Sequence, residues 1–390
     1  YSRKTGKPTQ LTRYREDVTS ARLLGNEVLA VHRTPAGSTL VRLDARTGKE
    51  LAASPLPGTA DVSDGHGRRA LVVHRSPDIV HETHEVDLAK PELALHEVIG
   101  LDPALERSLV ACKASAVRIP TFDEDPATGK TRELHAFLLE PRQPLTDPRQ
   151  RLALVTAFYG GENRYSVFDQ IMCAAGLTVV SPAVRGSDGF GKEFHALNDE
   201  DLGGDEIVDL FWVARWIEQQ LGLPAARIGV YGGSHGGYAT MRALTFPPGT
   251  NKRSDSYPFG FGMAHAGFSD IESFYRATNI PDWVVLESGD PNVPAELARM
   301  RDRSPLTHVE RLRAPLLVTH GSQDWRVPVE ESRQFVAKAK AAGLPVQYVE
   351  FEGQGHHIEG LGLQGKAYQV RLDFLKLVAE AATATTEAGS

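Results

Sequence analysis

Residues 228–244 constrain this chain more than any other stretch. Ile228-Gly229-Val230-Tyr231 reads as a buried strand, Gly232-Gly233-Ser234-His235-Gly236-Gly237 follows without a linker, and Tyr238-Ala239-Thr240-Met241-Arg242-Ala243-Leu244 has the composition of a helix. A serine between a strand and a helix sits on so sharp a turn that its neighbours cannot carry side chains without clashing, and Gly232 and Gly236 fill those positions. The bare string is short enough to arise by chance. Its place between two elements is what points to a reactive hydroxyl.

The surroundings supply a sheet for that turn. Short apolar runs at 152–158, 177–181, 227–231, 259–265, 315–320 and 346–351 read as buried parallel strands. Between them, 206–221 sets Ile207, Leu210, Phe211, Ala214 and Ile217 at helical spacing, and 329–342 and 365–381 also read as helices. This alternation predicts a doubly wound, mostly parallel α/β sheet covered on both faces. Just before it, 116–120 and 133–139 read as paired strands around the loop 123–130, and 141–150 as a polar connector. The catalytic domain is expected to span 112–382, with 383–390 a small, polar, unordered tail.

The first 111 residues have a different texture. Glu27-Val28-Leu29-Ala30-Val31-His32-Arg33 recurs in kind as Arg69-Ala70-Leu71-Val72-Val73-His74-Arg75, an offset of about 42 residues, within the range of propeller blades. Each is followed by a second strand-like run ending in Asp, at 40–44 and 84–87, and Arg46-Thr47-Gly48-Lys49 fits a hairpin turn. Two to two and a half blades fit here, whereas a ring needs about four to eight, so 1–111 reads as the last blades of an incomplete β-propeller. A small free-standing antiparallel domain is the alternative.

Composition closes several routes. Lys plus Arg number 43 and Asp plus Glu 50, a net charge of −7 with no basic block, which argues against nucleic acid. No run approaches the length of a membrane-spanning helix. Cys112 and Cys173 cannot make a disulfide framework and read most simply as buried thiols. The 14 histidines include no H-E-x-x-H or comparable spacing, so neither a catalytic metal nor a cofactor is expected. Arg185-Gly186-Ser187-Asp188-Gly189-Phe190-Gly191 lacks the features of a phosphate loop and reads as a loop at the rim of the active site. The chain opens on Tyr1 with a polar, basic stretch and no apolar signal segment, which predicts an absent natural start and favours a cytoplasmic setting.

A serine hydroxyl needs a base, and the base needs a carboxylate to orient it; on a sheet of this kind they follow in the order Ser, Asp or Glu, His. Asp324 comes shortly after the strand at 315–320, and His356 occupies the equivalent loop after 346–351. His356, directly after Gly355, is preferred to His357; His235, next to the nucleophile, would point elsewhere. The oxyanion of the tetrahedral intermediate is expected to meet the backbone N–H of His235 and a donor from Tyr159-Gly160-Gly161, either a backbone N–H or the Tyr159 hydroxyl.

With these residues in view, the chain resembles the prolyl oligopeptidase family of serine peptidases, an α/β-hydrolase domain capped by a β-propeller. The resemblance rests on Tyr159-Gly160-Gly161, Gly232-Gly233-Ser234-His235-Gly236-Gly237-Tyr238, His320-Gly321-Ser322-Gln323-Asp324-Trp325-Arg326-Val327-Pro328 and Gly355-His356. It covers about 112–382 well and the blades loosely. It implies an α/β-hydrolase fold preceded by propeller blades, an oxyanion role for the Tyr159 hydroxyl, and a substrate-carbonyl role for Arg326. Trp283 and Trp325 are candidate walls for a proline-sized side chain. Since the family's ring precedes the hydrolase and most of it is missing here, the resemblance also implies a longer protein cut within the propeller, its N-terminal piece a possible second chain.

The expected function is therefore a serine peptidase acting on short peptides: Ser234 attacks, His356 carries the proton, Asp324 orients it, and Tyr159 with the His235 amide holds the oxyanion. An esterase or acyl-transferring peptide cyclase with the same triad, and an inactive peptide-binding scaffold, are the rivals. Exo and endo action stay open.

Overall fold

The structure, a computed structural model, describes residues 6, 8–34, 37–143, 145–147, 150–160 and 164–388, with backbone alone for 384–388. Tyr1 and Gly161, both used in the sequence reading, lie outside the described residues. Alternating side chains that are apolar on one face and polar on the other build two four-stranded antiparallel sheets first. One comprises β1 (Val18–Leu24), β2 (Glu27–Thr34), β3 (Gly37–Asp44) and β4 (Glu50–Pro57); the other comprises β5 (Thr59–His66), β6 (Arg69–Ser76), β7 (Ile79–Asp87) and β8 (Leu95–Ile99). The two repeated runs fall on β2 and β6, the second strand of each sheet, so the repeat in sequence is a repeat of the blade. Leu29, Val31 and Leu40 of the first sheet and Val62, Ala70, Val72 and Val86 of the second share one apolar core between the blades.

The larger sheet has eight strands. They are β9 (Cys112–Asp125), β10 (Lys130–Pro141), β11 (Ala153–Thr156), β12 (Thr178–Pro182), β13 (Ile228–Gly233), β14 (Phe261–His265), β15 (Leu316–Gly321) and β16 (Val346–Phe351). Their spatial order is β9-β10-β12-β11-β13-β14-β15-β16. The β11 to β16 ladders are parallel, and β10 pairs antiparallel with both β9 and β12. The period of two in β11 assigns its faces: Ala153 and Val155 pack with Phe211 and Ile217 of the helix Asp205–Leu221, whereas Leu152 and Leu154 pack with Met172 and with Phe374 of the helix Leu361–Ala388. That is why the strands read as near-continuous apolar runs. The chain is thus an α/β-hydrolase fold preceded by two four-stranded blades of propeller type. No helix among the described residues is long and apolar enough to cross a membrane.

Buried polar groups tie blades to hydrolase. Gln170, 5% exposed, accepts from the amides of Ala111 and Cys112 and donates to the Pro77 carbonyl in the turn between β6 and β7. Asp17, just before β1, accepts from the Gly189 amide at 2.9 Å. Asp209, fully buried, takes the Arg185 guanidinium through two hydrogen bonds of 2.8 and 2.9 Å and the Thr121 hydroxyl at 2.7 Å, which locks the loop after β12 to β9. Removing one partner of a bidentate pair satisfied this fully would strand the other in the interior.

Two expectations are corrected. Cys112 and Cys173 are not thiols: they form a disulfide, with Cα atoms 5.4 Å apart. The helix Val167–Ala174 packs on β9 and β10 so that its last turn meets the first residue of β9, an approach across 61 residues that spacing does not reveal. The C-terminal helix also runs on to Ala388, through most of the stretch expected to be an unordered tail. The alanines and glutamate there have high helix propensity once a helix has been nucleated upstream. The bridge should stabilise the fold by about 2–4 kcal/mol. Reducing it, or replacing both cysteines with Ala, is therefore expected to lower the chemical denaturation midpoint; an unmoved midpoint would show that the bridge carries none of the stability.

Candidate active site

At the end of β13 the chain turns within one residue. Ser234 sits at φ 57° and ψ −122°, a region non-glycine residues avoid and one that costs about 1–3 kcal/mol. Packing leaves no gentler path. A Cβ on Gly232 would lie 2.4 Å from the backbone of Gly236, and one on Gly237 would lie 2.6 Å from the carbonyl of His265. The Ser234 amide donates to that same carbonyl at 2.8 Å, and the Ser234 carbonyl accepts from Gly237 and Tyr238 to open the helix His235–Thr245. Inside this helix, buried Arg242 donates to the carbonyls of Gly203 and Asp302, which anchors the segment that carries the serine.

Two strands further along the sheet, the loops after β15 and β16 brace each other. Gln323 donates its amide to the Gln354 carbonyl, Gly353 to the Ser322 hydroxyl, and Gly321 lies so near the Gly355 carbonyl that a Cβ there would stand 2.2 Å away. This contact brings Asp324 to His356. Asp324 Oδ2 accepts from His356 Nδ1 at 2.7 Å, and Oδ1 accepts the amides of Arg326 and Val327 at 2.9 and 3.0 Å. His320 Nε2 lies 3.2 Å from Oδ2 while also facing the Val327 carbonyl. A carbonyl only accepts, so Nε2 carries the proton and Nδ1 accepts from the Ser332 hydroxyl at 2.7 Å. Burial raises the Asp324 carboxyl, but the hydrogen bonds from His320, His356 and Val327 outweigh it and hold the group well below the usual range. His265, at the end of β14, is pushed down to about 3, by burial first and then by the nearby Arg371 guanidinium, and stays neutral.

The structure therefore joins Asp324 to His356 directly and sets Ser234 at the same C-terminal end of the parallel strands. Among the described contacts the Ser234 hydroxyl makes no hydrogen bond to His356. Such a bond often closes only around substrate. His357 is exposed. A cavity of about 820 Å³ beside Tyr14, Arg118, His135 and Phe190 includes none of these groups.

Beyond the nucleophile lies a buried ionic cluster that the sequence reading missed. Tyr159 stacks on the His235 ring at 4.4 Å, donates its hydroxyl to Glu287 at 3.0 Å and accepts from Asn198 at 2.8 Å. His235 Nε2 stands 3.0 Å from Glu206 Oε2, an ion-pair distance off the hydrogen-bond line, with both side chains at least 95% buried. Burial alone would lower His235; Glu206 and then Glu287 reverse this and raise it above 6.5. Burial also raises Glu287, and raises Tyr159 well above its ordinary value, so the phenol stays neutral. Gly160 donates its amide to the Ser187 hydroxyl and Gly186 packs on the Tyr159 ring, so the glycine-rich loop after β12 braces this cluster. In sequence, Glu206 looks like any acid in the first turn of a helix, and Asn198 and Glu287 carry no spacing signal. Of the substrate-wall candidates, Trp283 packs edge-on to His235 at 5.9 Å, whereas Trp325 is 69% exposed and Arg326 also faces solvent.

Comparison with known proteins follows the same lines. A family model described as the prolyl oligopeptidase family matches residues 164–381. Among curated proteins, dipeptidyl aminopeptidase BIII of Pseudoxanthomonas mexicana is 30% identical over 61% of this chain and 35% of its own length. The acylamino-acid-releasing enzyme of Rattus norvegicus is 24% identical over 64% of this chain and 34% of its own. In fold, the crystal structure of puromycin hydrolase superposes with a TM-score of 0.79 at 23% identity, covering 96% of this chain and 57% of that one. Dipeptidyl peptidase 4 of Porphyromonas gingivalis gives 0.77 at 22%, covering 96% and 52%. The chain thus spans about a third of the length of these curated relatives and a little over half of these solved chains.

The ionic cluster has a measurable signature. His235 is expected to titrate above 6.5 by NMR of its imidazole carbon, and Glu206→Gln to bring it below 6.5, because burial then dominates. Since folding raises this group, the stability it contributes is complete below about pH 6.5 and fades as pH rises through the folded-state value. An unchanged titration in Glu206→Gln would break the assignment.

Proposed function

The chain belongs to the prolyl oligopeptidase family, and from that premise we propose that it is a serine peptidase that cleaves short peptides through an acyl-enzyme on Ser234. The observation that carries the reading is the 2.7 Å contact of a buried, ionised Asp324 with His356 Nδ1. That contact fixes the tautomer: Nδ1 donates, so Nε2 presents its lone pair to the serine.

The steps follow from these groups. Ser234 Oγ attacks the peptide carbonyl as its proton passes to His356 Nε2, and Asp324 stabilises the imidazolium. The oxyanion takes the His235 amide and the Tyr159 hydroxyl, whose proton turns from Glu287 to the substrate oxygen as charge develops there. Collapse expels the amine, which leaves with the proton from His356. Water then attacks the acyl-enzyme, with His356 as base, and releases acid and free serine. Trp283, beside His235, forms a wall of the pocket for the side chain preceding the scissile bond, and Arg326 and Trp325 stand at its rim.

Ser234→Ala is expected to lower kcat on a peptide amide by on the order of 10⁴- to 10⁶-fold with the fold intact; retention of turnover by this variant would sink the proposal, and turnover of a matched ester alone would move the function to the esterase reading. Tyr159→Phe should lower kcat about 10²- to 10³-fold while KM changes little, and equal rates would assign the second oxyanion donor elsewhere.

A further inference from the structure

The inward face of the second blade breaks its own pattern. In β6 the inward positions run Ala70, Val72, His74, and in β7 they run Val86, His84, Glu82. Ala70, Val72 and Val86 are at most 1% exposed and belong to the core between the blades. The register pairs His74 with Glu82 and Val72 with His84, so apolar core gives way at one end of the face to two imidazoles and a carboxylate. The ladder is irregular just past His74, a place where strands commonly re-aim a side chain. Burying these groups without strong partners is costly.

Their hydrogen bonding leaves polar capacity over. His74 Nε2 meets the Pro57 carbonyl at the end of β4, and a carbonyl only accepts, so Nε2 carries the proton. Its Nδ1 faces Glu82 Oε2 at 3.6 Å, beyond hydrogen-bond distance. On the other side, His84 Nε2 lies 2.9 Å from the same carboxylate oxygen, and its Nδ1 is buried without a partner. The side chains of His74, His84 and Glu82 are 6, 11 and 20% exposed. One ligand atom from each falls within 4.8 Å of the others. In a tetrahedral zinc site with bonds of about 2.0–2.1 Å, ligand atoms stand roughly 3.3 Å apart, and the two spacings to Glu82 Oε2, 2.9 and 3.6 Å, bracket that edge.

We propose that His74 Nδ1, Glu82 Oε2 and His84 Nε2 form a binding site for a divalent cation of the zinc type, with water in the fourth position on the exposed side of Glu82. A cation between the three atoms gives both imidazoles and the carboxylate a shared partner. The Pro57 carbonyl then acts as the outer partner that fixes the ring of a ligating histidine and ties the last residue of the first blade to the metal. The site lies in the blades, away from the serine and its partners, and is a structural clasp between the two small sheets.

The test uses the full chain, stripped with a chelator and titrated with Co²⁺, whose visible bands report a tetrahedral site, and with Zn²⁺ by calorimetry. Glu82→Gln and His74→Ala probe the clasp, and His356→Ala controls for binding at the triad. The expected result is one equivalent bound by the wild-type chain and by His356→Ala, with binding weakened at least about tenfold in Glu82→Gln and His74→Ala. Zinc should raise the Tm of the wild-type chain and not that of Glu82→Gln, a near-isosteric change whose metal-free melt shows that it folds. Absence of stoichiometric binding by the wild-type chain would overturn the proposal, as would binding that persists in Glu82→Gln or disappears in His356→Ala.

Discussion

The strained backbone at Ser234 is the constraint around which the catalytic half is arranged. A serine at φ 57° persists only where its surroundings over-determine it, and here they do. The strand before it is clamped between β11 and β14, its amide is held by the His265 carbonyl, and the helix after it packs so close that Gly232, Gly236 and Gly237 admit no Cβ without a shift in their neighbours. The reward is a hydroxyl on a tight bend at the same C-terminal end of the sheet as the loops that follow β15 and β16. Those loops are joined to each other by backbone hydrogen bonds, so the carboxylate and the imidazole arrive as a pair.

Burial has opposite consequences on the two sides of that serine. Asp324 is fully buried yet held well below the usual carboxylate range, because two amides and two imidazoles donate to it. Glu287 is also buried and is raised: the Tyr159 and Asn198 donors and the nearby His235 do not offset desolvation and the second carboxylate of Glu206. Two histidines divide in the same way. His265 is buried beside the Arg371 guanidinium and is kept neutral, whereas His235 faces two carboxylates and is favoured in its charged form.

Much of this was legible in the sequence where local chemistry dictates it. The strand, the six-residue turn and the helix around Ser234 could be read from glycine placement, and the parallel strands from apolar runs that β11 explains by burying both its faces. The 42-residue offset marked equivalent strands in two blades. What stayed hidden depends on long-range approach. The Cys112–Cys173 bridge requires knowing that a helix end meets the start of β9. Glu206, Asn198 and Glu287 come from separate segments, and nothing in their flanking residues marks them as neighbours of Tyr159. Trp283 and Trp325 looked equivalent as aromatic walls. Only packing distinguishes the one beside His235 from the one that is 69% exposed.

The account stands or falls on whether Ser234 is the activated nucleophile. Peptide mapping by mass spectrometry after treatment of the native chain with a fluorophosphonate reads this directly. The account predicts a single adduct on Ser234 that fails to form when Asp324 is replaced by Asn or when the chain is first unfolded. An adduct on another residue, or none on native protein with an open site, would contradict it.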